Sequence, residues 1–186
     1  MNRKLRSHAL AASLVLAVPL LPACSSTPTQ ESAGQFIDSS VLTAKVKSAL
    51  AEDPMTDALE IGVETYKGKV QLSGFVDDTR QKLRAEQVAR RVDGVVGVDN
   101  GLVVQPRSQS VGEYVDDATL TARVKARIAE DPRLNPFVIG VETQRGVVQL
   151  SGFVDDRSTR TLATRVASNT PGIKGVRNSL ALKPAS

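Results

Sequence analysis

The sequence predicts an α+β protein made of two tandem α-β-β-α-β units. Each is expected to be a two-layer sandwich, a three-stranded mixed sheet covered on one face by two helices. Three observations predict this. Residues 38–104 align without a gap on residues 116–182, at an offset of 78, with about half the positions identical. Such self-similarity is the signature of duplication. Within each copy, apolar residues recur with a period of 2 in two adjacent runs, the pattern of half-buried strands. Flanking those runs, they recur with the 3.6 spacing of amphipathic helices.

Each element can be justified in chain order. In the first copy, Asp38 or Ser39 can cap a helix whose inner face is Leu42, Val46, Ala49 and Leu50. Pro54 ends it. Leu59, Ile61 and Val63 alternate as a first strand, and the turn at 66–69 (YKGK) gives Gly68 the freedom to take positive φ. Val70, Leu72 and Val76 form the second strand. Asp77, Asp78 and Thr79 supply caps and matched charge for a second helix, with Leu83, Val88 and Val92 predicted to face inward and Gly94 to end it. Val98, Leu102 and Val104 form the third strand. The opposite sheet face carries Glu60, Gly62, Glu64, Gln71, Ser73 and Phe75. This face is expected either to be wet or to dock the second unit. Gly74 and Gly152, in mid-strand, predict a bulge or a close helix approach.

The boundaries read as a leader over 1–23, a flexible tether over 24–37, a first unit over 38–106, a linker over 107–113 and a second unit over 114–186. The leader has a basic start (Arg3, Lys4, Arg6) and an apolar stretch over 9–21. That stretch is too short to cross about 30 Å of hydrocarbon, and it has the length of a signal-peptide core. It runs into LPAC at 21–24. This resembles the lipobox of bacterial lipoproteins, although Pro22 is unusual there. The alternative is an ordinary secretory cleavage site. The tether is rich in Ser, Thr, Pro and Gln, and a flexible segment of this length reaches roughly 17–20 Å.

Composition narrows the function classes. The chain has 24 Lys+Arg and 20 Asp+Glu for a net charge of +4, and a single Cys and a single His. Removing the leader subtracts three positive charges and His8. Near-neutral charge argues against nucleic-acid binding. The lack of His removes His-based catalysis, and one Cys excludes a multi-Cys metal site. No cofactor or metal site is predicted, and no enzyme activity. The adjacent acids Asp77–Asp78 and Asp155–Asp156 read as helix caps, not as a carboxylate pair.

The hairpin motif, "VQLSGFV" in both copies, and the closing runs "GVVGVDNGLVV" (94–104) and "GIKGVRNSLAL" (172–182) resemble the BON domain. They are particularly similar to its osmotically inducible periplasmic branch. The order of lipobox, tether and two units resembles dual-BON outer-membrane lipoproteins. The resemblance implies acylation of Cys24, outer-membrane anchoring facing the periplasm, association with phospholipid membranes, a role in envelope integrity under stress, and no catalysis. By charge, residues 38–106 carry 9 basic and 11 acidic groups, whereas residues 113–186 carry 11 basic and 8 acidic. The second unit is thus the better candidate for an anionic phospholipid surface. Its first helix carries Arg123 and Arg127 on one side of the stripe Leu120, Val124 and Ile128 and Lys125 on the other, with Tyr114 upstream at headgroup level. The plainer reading makes these cations a solvated helix face, and Arg157, Arg160 and Arg165 form a competing basic cluster. A second functional reading is an adaptor or chaperone-like module that takes outer-membrane proteins or their precursors at a sheet edge.

Overall fold

The computed structural model describes residues 33–56, 61–106 and 111–184. Cys24, the leader and most of the tether lie outside them, as do Glu60 and Leu59. The first unit runs α1 (Ala33–Glu52), β1 (Ile61–Tyr66), β2 (Lys69–Val76), α2 (Thr79–Arg90), β3 (Gly97–Asn100) and β4 (Val103–Val104). The second runs α3 (Val111–Glu130), β5 (Gly140–Gln144), β6 (Val147–Ser151), β7 (Phe153–Val154), α4 (Arg157–Ser168), β8 (Gly175–Asn178) and β9 (Ala181–Leu182). No helix among the described residues is long and apolar enough to cross a membrane.

In each unit the hairpin pairs antiparallel and the last strand returns parallel to the middle one. Ile61 faces Gly74 and Tyr66 faces Lys69 between β1 and β2, while Val70 faces Val98 and Phe75 faces Val103 on the other side of β2. The predicted mixed sheet is therefore present, with β2 central. The hairpin turn uses positive φ at Lys67 and Gly68, repeated at Arg145 and Gly146. This geometry matches the twist of two short strands, and glycine adopts it without a Cβ clash. The first core joins Leu42, Val46 and Leu50 of α1 to Val63, Val70 and Leu72 of the sheet and to Ala85, Val88 and Ala89 of α2. Val124, Ile128, Val141, Val148, Leu150, Ala163 and Ala167 repeat it in the second.

Four details differ from the sequence reading. Helices α1 and α3 begin at Ala33 and Val111, so residues assigned to tether and linker are helical. The second unit's counterpart of the cap candidate Ser39 serves elsewhere. Asp117 is buried and accepts hydrogen bonds from the Arg145 N–H (2.6 Å) and Gly146 N–H (2.8 Å) of the β5–β6 turn. A carboxylate committed to a neighbouring hairpin leaves the helix free to continue upstream. Leu83 points outward at 53% exposure, because α2 seats on the sheet through Ala85, Val88 and Ala89, whose small side chains allow close approach. The third strand is broken at Gly101–Leu102. The Gly101 N–H bonds Leu72 O at 2.9 Å, and Leu102 turns into the core. By contrast, the caps of α2 and α4 are as predicted. Asp78 accepts from the Gln81 N–H and Asp156 from the Thr159 N–H, each at 2.8 Å.

Candidate functional site

Three features can act on a partner: the outer face of α3, the groove between α3 and α4, and the seam between the units.

On α3, Val124 and Ile128 are buried against the sheet, and Leu120 is half-buried. Arg123, Lys125 and Arg127 are exposed. At 100° per residue, Arg123 and Arg127 flank one side of the buried stripe and Lys125 the other. The structure therefore does not gather the three cations into a single patch. Between them, on the solvent side, lie the exposed Ala122, Ala126 and Ala129. The surface offered outward is a shallow, small-residue band with basic flanks, while the strongly apolar stripe is occupied by the core. Tyr114 belongs to α3, but its side chain lies outside the described residues.

The groove between α3 and α4, about 590 Å³, is lined by Arg127, Arg133 and Arg165 and by Glu130 and Asp131, over Leu162 and Val166. The corresponding groove of the first unit is about 290 Å³. Several substitutions between the copies separate them, among them Arg84 to Leu162, Ala49 to Arg127 and Met55 to Arg133. In the first unit the Arg84 guanidinium crosses the groove to Asp53, with Nη2 at 2.6 Å and Nε at 2.8 Å from Oδ2. That bond, above all, holds the Asp53 carboxyl below its ordinary range. In the second unit Leu162 replaces Arg84, and Asp131 turns instead to Arg133 two residues away, at 2.7 Å. The Arg133 side chain and N–H hold the Asp131 carboxyl down to about 2. Arg127 also donates from Nη1 to Asn169 O at the end of α4, at 3.1 Å. Arg133 was not singled out from the sequence. Its signal was available, since it stands where the first copy has Met55. Of the competing cluster, only Arg165 lines this groove, and Arg160 reaches toward Asn178 O at 3.5 Å.

The seam settles the alternative left open for the polar sheet face: it docks the other unit. Gln71 and Gln149 stand at matching positions and are almost fully buried. The Gly152 N–H donates to Gln71 Oε1 at 2.5 Å, and Gln71 Nε2 donates to Ser179 O. Reciprocally, the Gly74 N–H donates to Gln149 Oε1 and Gln149 Nε2 donates to Gly101 O, both at 2.7 Å. Thus the mid-strand glycines, at φ +116 and +118, turn an amide toward the partner unit. The rings of Tyr66 and Phe153 lie 5.7 Å apart across the seam. Lys183, paired with Asp155 at 3.0 Å, lies over Tyr66.

Where the seam opens there is a cleft of about 680 Å³, between α1 and β1 on one side and the 135–140 loop on the other. Glu64 lines it. Its Oε2 is buried without a hydrogen bond, and burial raises its carboxyl above the ordinary glutamate value, against the weaker opposing pull of Lys47. Thr65 Oγ1 likewise has no partner. Among the described residues no cluster of His, Cys, Asp and Glu could hold a metal ion.

Comparison with known proteins agrees with this architecture. The family model for the BON domain matches residues 38–106 and 116–184. The chain is 38% identical over 151 residues to osmotically-inducible protein Y of Escherichia coli, covering 81% of this chain and 75% of that one. It is 33% identical over 144 residues to outer membrane lipoprotein DolP of Haemophilus influenzae, covering 77% and 74%. A solved structure of CdsD, a structural protein of the type III secretion system of Chlamydia trachomatis, superposes only loosely. It has a TM-score of 0.34 and 13% identity over 78% of this chain and 94% of that one. Two family matches spanning most of the chain, on a doubled α-β-β-α-β fold, assign it to the BON-domain family as a dual-BON protein.

Proposed function

We propose that this protein is anchored through an acylated Cys24 to the outer membrane, facing the periplasm. There it binds anionic phospholipid through its second BON unit and supports the envelope under stress, without catalysis. The observation that carries this reading is the difference between two copies of one fold. The second unit bears Arg127, Arg133 and Arg165 against Glu130 and Asp131 in an open groove, an excess of one positive charge, beside Arg123 and Lys125 on α3. In the first, the matching groove is bridged by Asp53 and Arg84. The exposed alanine band with basic flanks suits a helix lying against headgroups, and each nearby cation contributes about 1 kcal/mol toward an anionic surface. The relatives' names, one an outer membrane lipoprotein and one osmotically inducible, support the location and the stress role.

Vesicle flotation tests it. The non-acylated Cys24→Ala protein should float with phosphatidylglycerol-containing vesicles and not with neutral ones, and binding should fall as salt is raised. Arg123→Ala and Arg127→Ala should each weaken binding roughly fivefold, the equivalent of about 1 kcal/mol. Equal binding to neutral vesicles would remove the electrostatic basis of the reading.

A further inference from the structure

The seam cleft is separate from the phospholipid surface, and its chemistry differs: its lining charges are Glu64 and Lys183, and Lys183 is already paired with Asp155. Its inner wall is formed by the consecutive residues Val63, Glu64, Thr65 and Tyr66. Side chains alternate between faces along a strand, so a cleft touching four successive residues runs along the strand's edge. That edge is free: β1 is the outer strand of its sheet, and among the described residues no strand pairs with its outer side. The far wall is the loop of the second unit, where Phe137 is 96% exposed. Free β-edges beside apolar walls are templates for an added strand.

The equivalent strand of the second unit, β5, is also the outer strand of its sheet, but the polar side chains beside it are satisfied differently. Thr143 Oγ1, the counterpart of Thr65, is hydrogen-bonded to Thr121 at 2.8 Å. The counterpart of Ser39 is Asp117, whose carboxylate is spent on the β5–β6 turn. The first unit keeps Thr43 at the position of Thr121, but its hydroxyl bonds Ser39 O at 2.9 Å and leaves Thr65 without a partner. Two copies with nearly the same local sequence therefore differ in which polar groups at this edge are satisfied: in the second the buried oxygen without a partner is Gln144 Oε1, where the first has Tyr66. The unsatisfied pair, Glu64 and Thr65, lines the cleft. A buried carboxyl with no partner asks for a donor or a cation, and it disfavours an anionic headgroup.

We propose that this cleft receives an extended polypeptide segment, which adds as a strand beside β1, sets a basic side chain against Glu64 and packs an apolar one against Phe137. Main-chain bonds would supply affinity, and alternate side chains the selection.

Fluorescence anisotropy with the full chain and a fluorescein-labelled decapeptide of alternating Val and Lys tests this. The peptide should bind, and Glu64→Lys should weaken it on the order of tenfold, the scale of a charge-assisted hydrogen bond. Glu64→Gln should give a smaller loss, and it guards against a folding defect in the reversal, with thermal melts checking both. Phe137→Ser should weaken binding several-fold, and N-methylation of alternate peptide amides, which keeps the charge, should abolish it. Arg123→Ala should leave peptide binding unchanged, separating this site from the lipid surface. Equal affinity for a Val–Asp peptide, indifference to Glu64→Lys, or retained binding after N-methylation would overturn the proposal. So would a Phe137→Ser variant that loses phosphatidylglycerol vesicles and keeps the peptide, since Phe137 would then serve the membrane.

Discussion

Gln71 and Gln149, 78 positions apart, exchange hydrogen bonds with each other's repeats: each carboxamide oxygen accepts from a glycine N–H of the opposite unit, and each amide nitrogen donates to a carbonyl there. Both side chains are almost fully buried. The arrangement is reciprocal because the two copies present the same residues to one another, as in an isologous contact. The two glutamines thus bury satisfied polar groups at the centre of a face that would otherwise be too polar to bury.

Removing either glutamine strands a buried N–H and a carbonyl on the partner unit. Gln71→Ala and Gln149→Ala should each cost about 1–3 kcal/mol. Their effects should be similar in size, because the two sites are equivalent. Urea unfolding of the double variant should separate into two transitions as the units uncouple. A double variant with wild-type stability and one transition would show that the seam contributes little.

Gly152 has no room for a side chain. Its φ is +118, and an added Cβ would lie 2.0 Å from Val138 O. Gly152→Ala should destabilise by about 3 kcal/mol or more, combining backbone strain with overpacking against main chain. Gly34 in α1 is the internal control. Nothing lies within 4 Å of its Cβ position, and Gly34→Ala should be neutral or stabilising by up to about 1 kcal/mol. Thermal melts of the two variants side by side make the comparison.

The Asp53–Arg84 pair predicts a pH signature. The Arg84 hydrogen bond lowers the Asp53 pKa in the folded state. Stability from this pair is therefore present above the ordinary aspartate value and lost as pH falls through the lowered one. Arg84→Leu, which copies the second unit, should destabilise the protein at pH 7, and the difference from wild type should shrink toward pH 3. An NMR titration should show the Asp53 carboxyl rising toward its ordinary value. A destabilisation independent of pH would assign the effect to packing.

Glu64 behaves oppositely. Burial raises its folded pKa, so the fold binds its proton more tightly than the unfolded chain does, and stability falls as pH rises above the ordinary glutamate range. Glu64→Gln removes the charge and keeps the shape. The variant should melt higher at pH 7, by roughly 2–4 °C for about 1 kcal/mol of relief in a protein of this size, and match wild type near pH 4. A lower melting temperature at pH 7 would mean that the carboxylate has a stabilising partner in the fold.

The doubled fold, the hairpins and the α2 and α4 caps were legible in the residues because they are local. Alternation, a turn glycine and an aspartate before a helix act over a few positions. The start of α3 was misplaced because Asp117, the counterpart of the cap candidate Ser39, bonds a hairpin 28 and 29 residues away. Leu83 was misplaced because the helix chose its contact face by the small size of Ala85 and Ala89 rather than by hydropathy. The cations of α3 and their separation onto two flanks of the apolar stripe could be read from sequence, but not the opening of the groove where Leu162 stands for Arg84.

By itself, the sequence determined the repeat, the strand and helix periods, the charge difference between the copies and membership of the BON family. Tertiary structure alone decided that the polar sheet faces meet each other. A glutamine on a strand carries the same donors and acceptors whether it faces water or protein. Only docking brings Gly74, Gly101, Gly152 and Ser179 within its reach, and only docking forms the cleft beside Glu64.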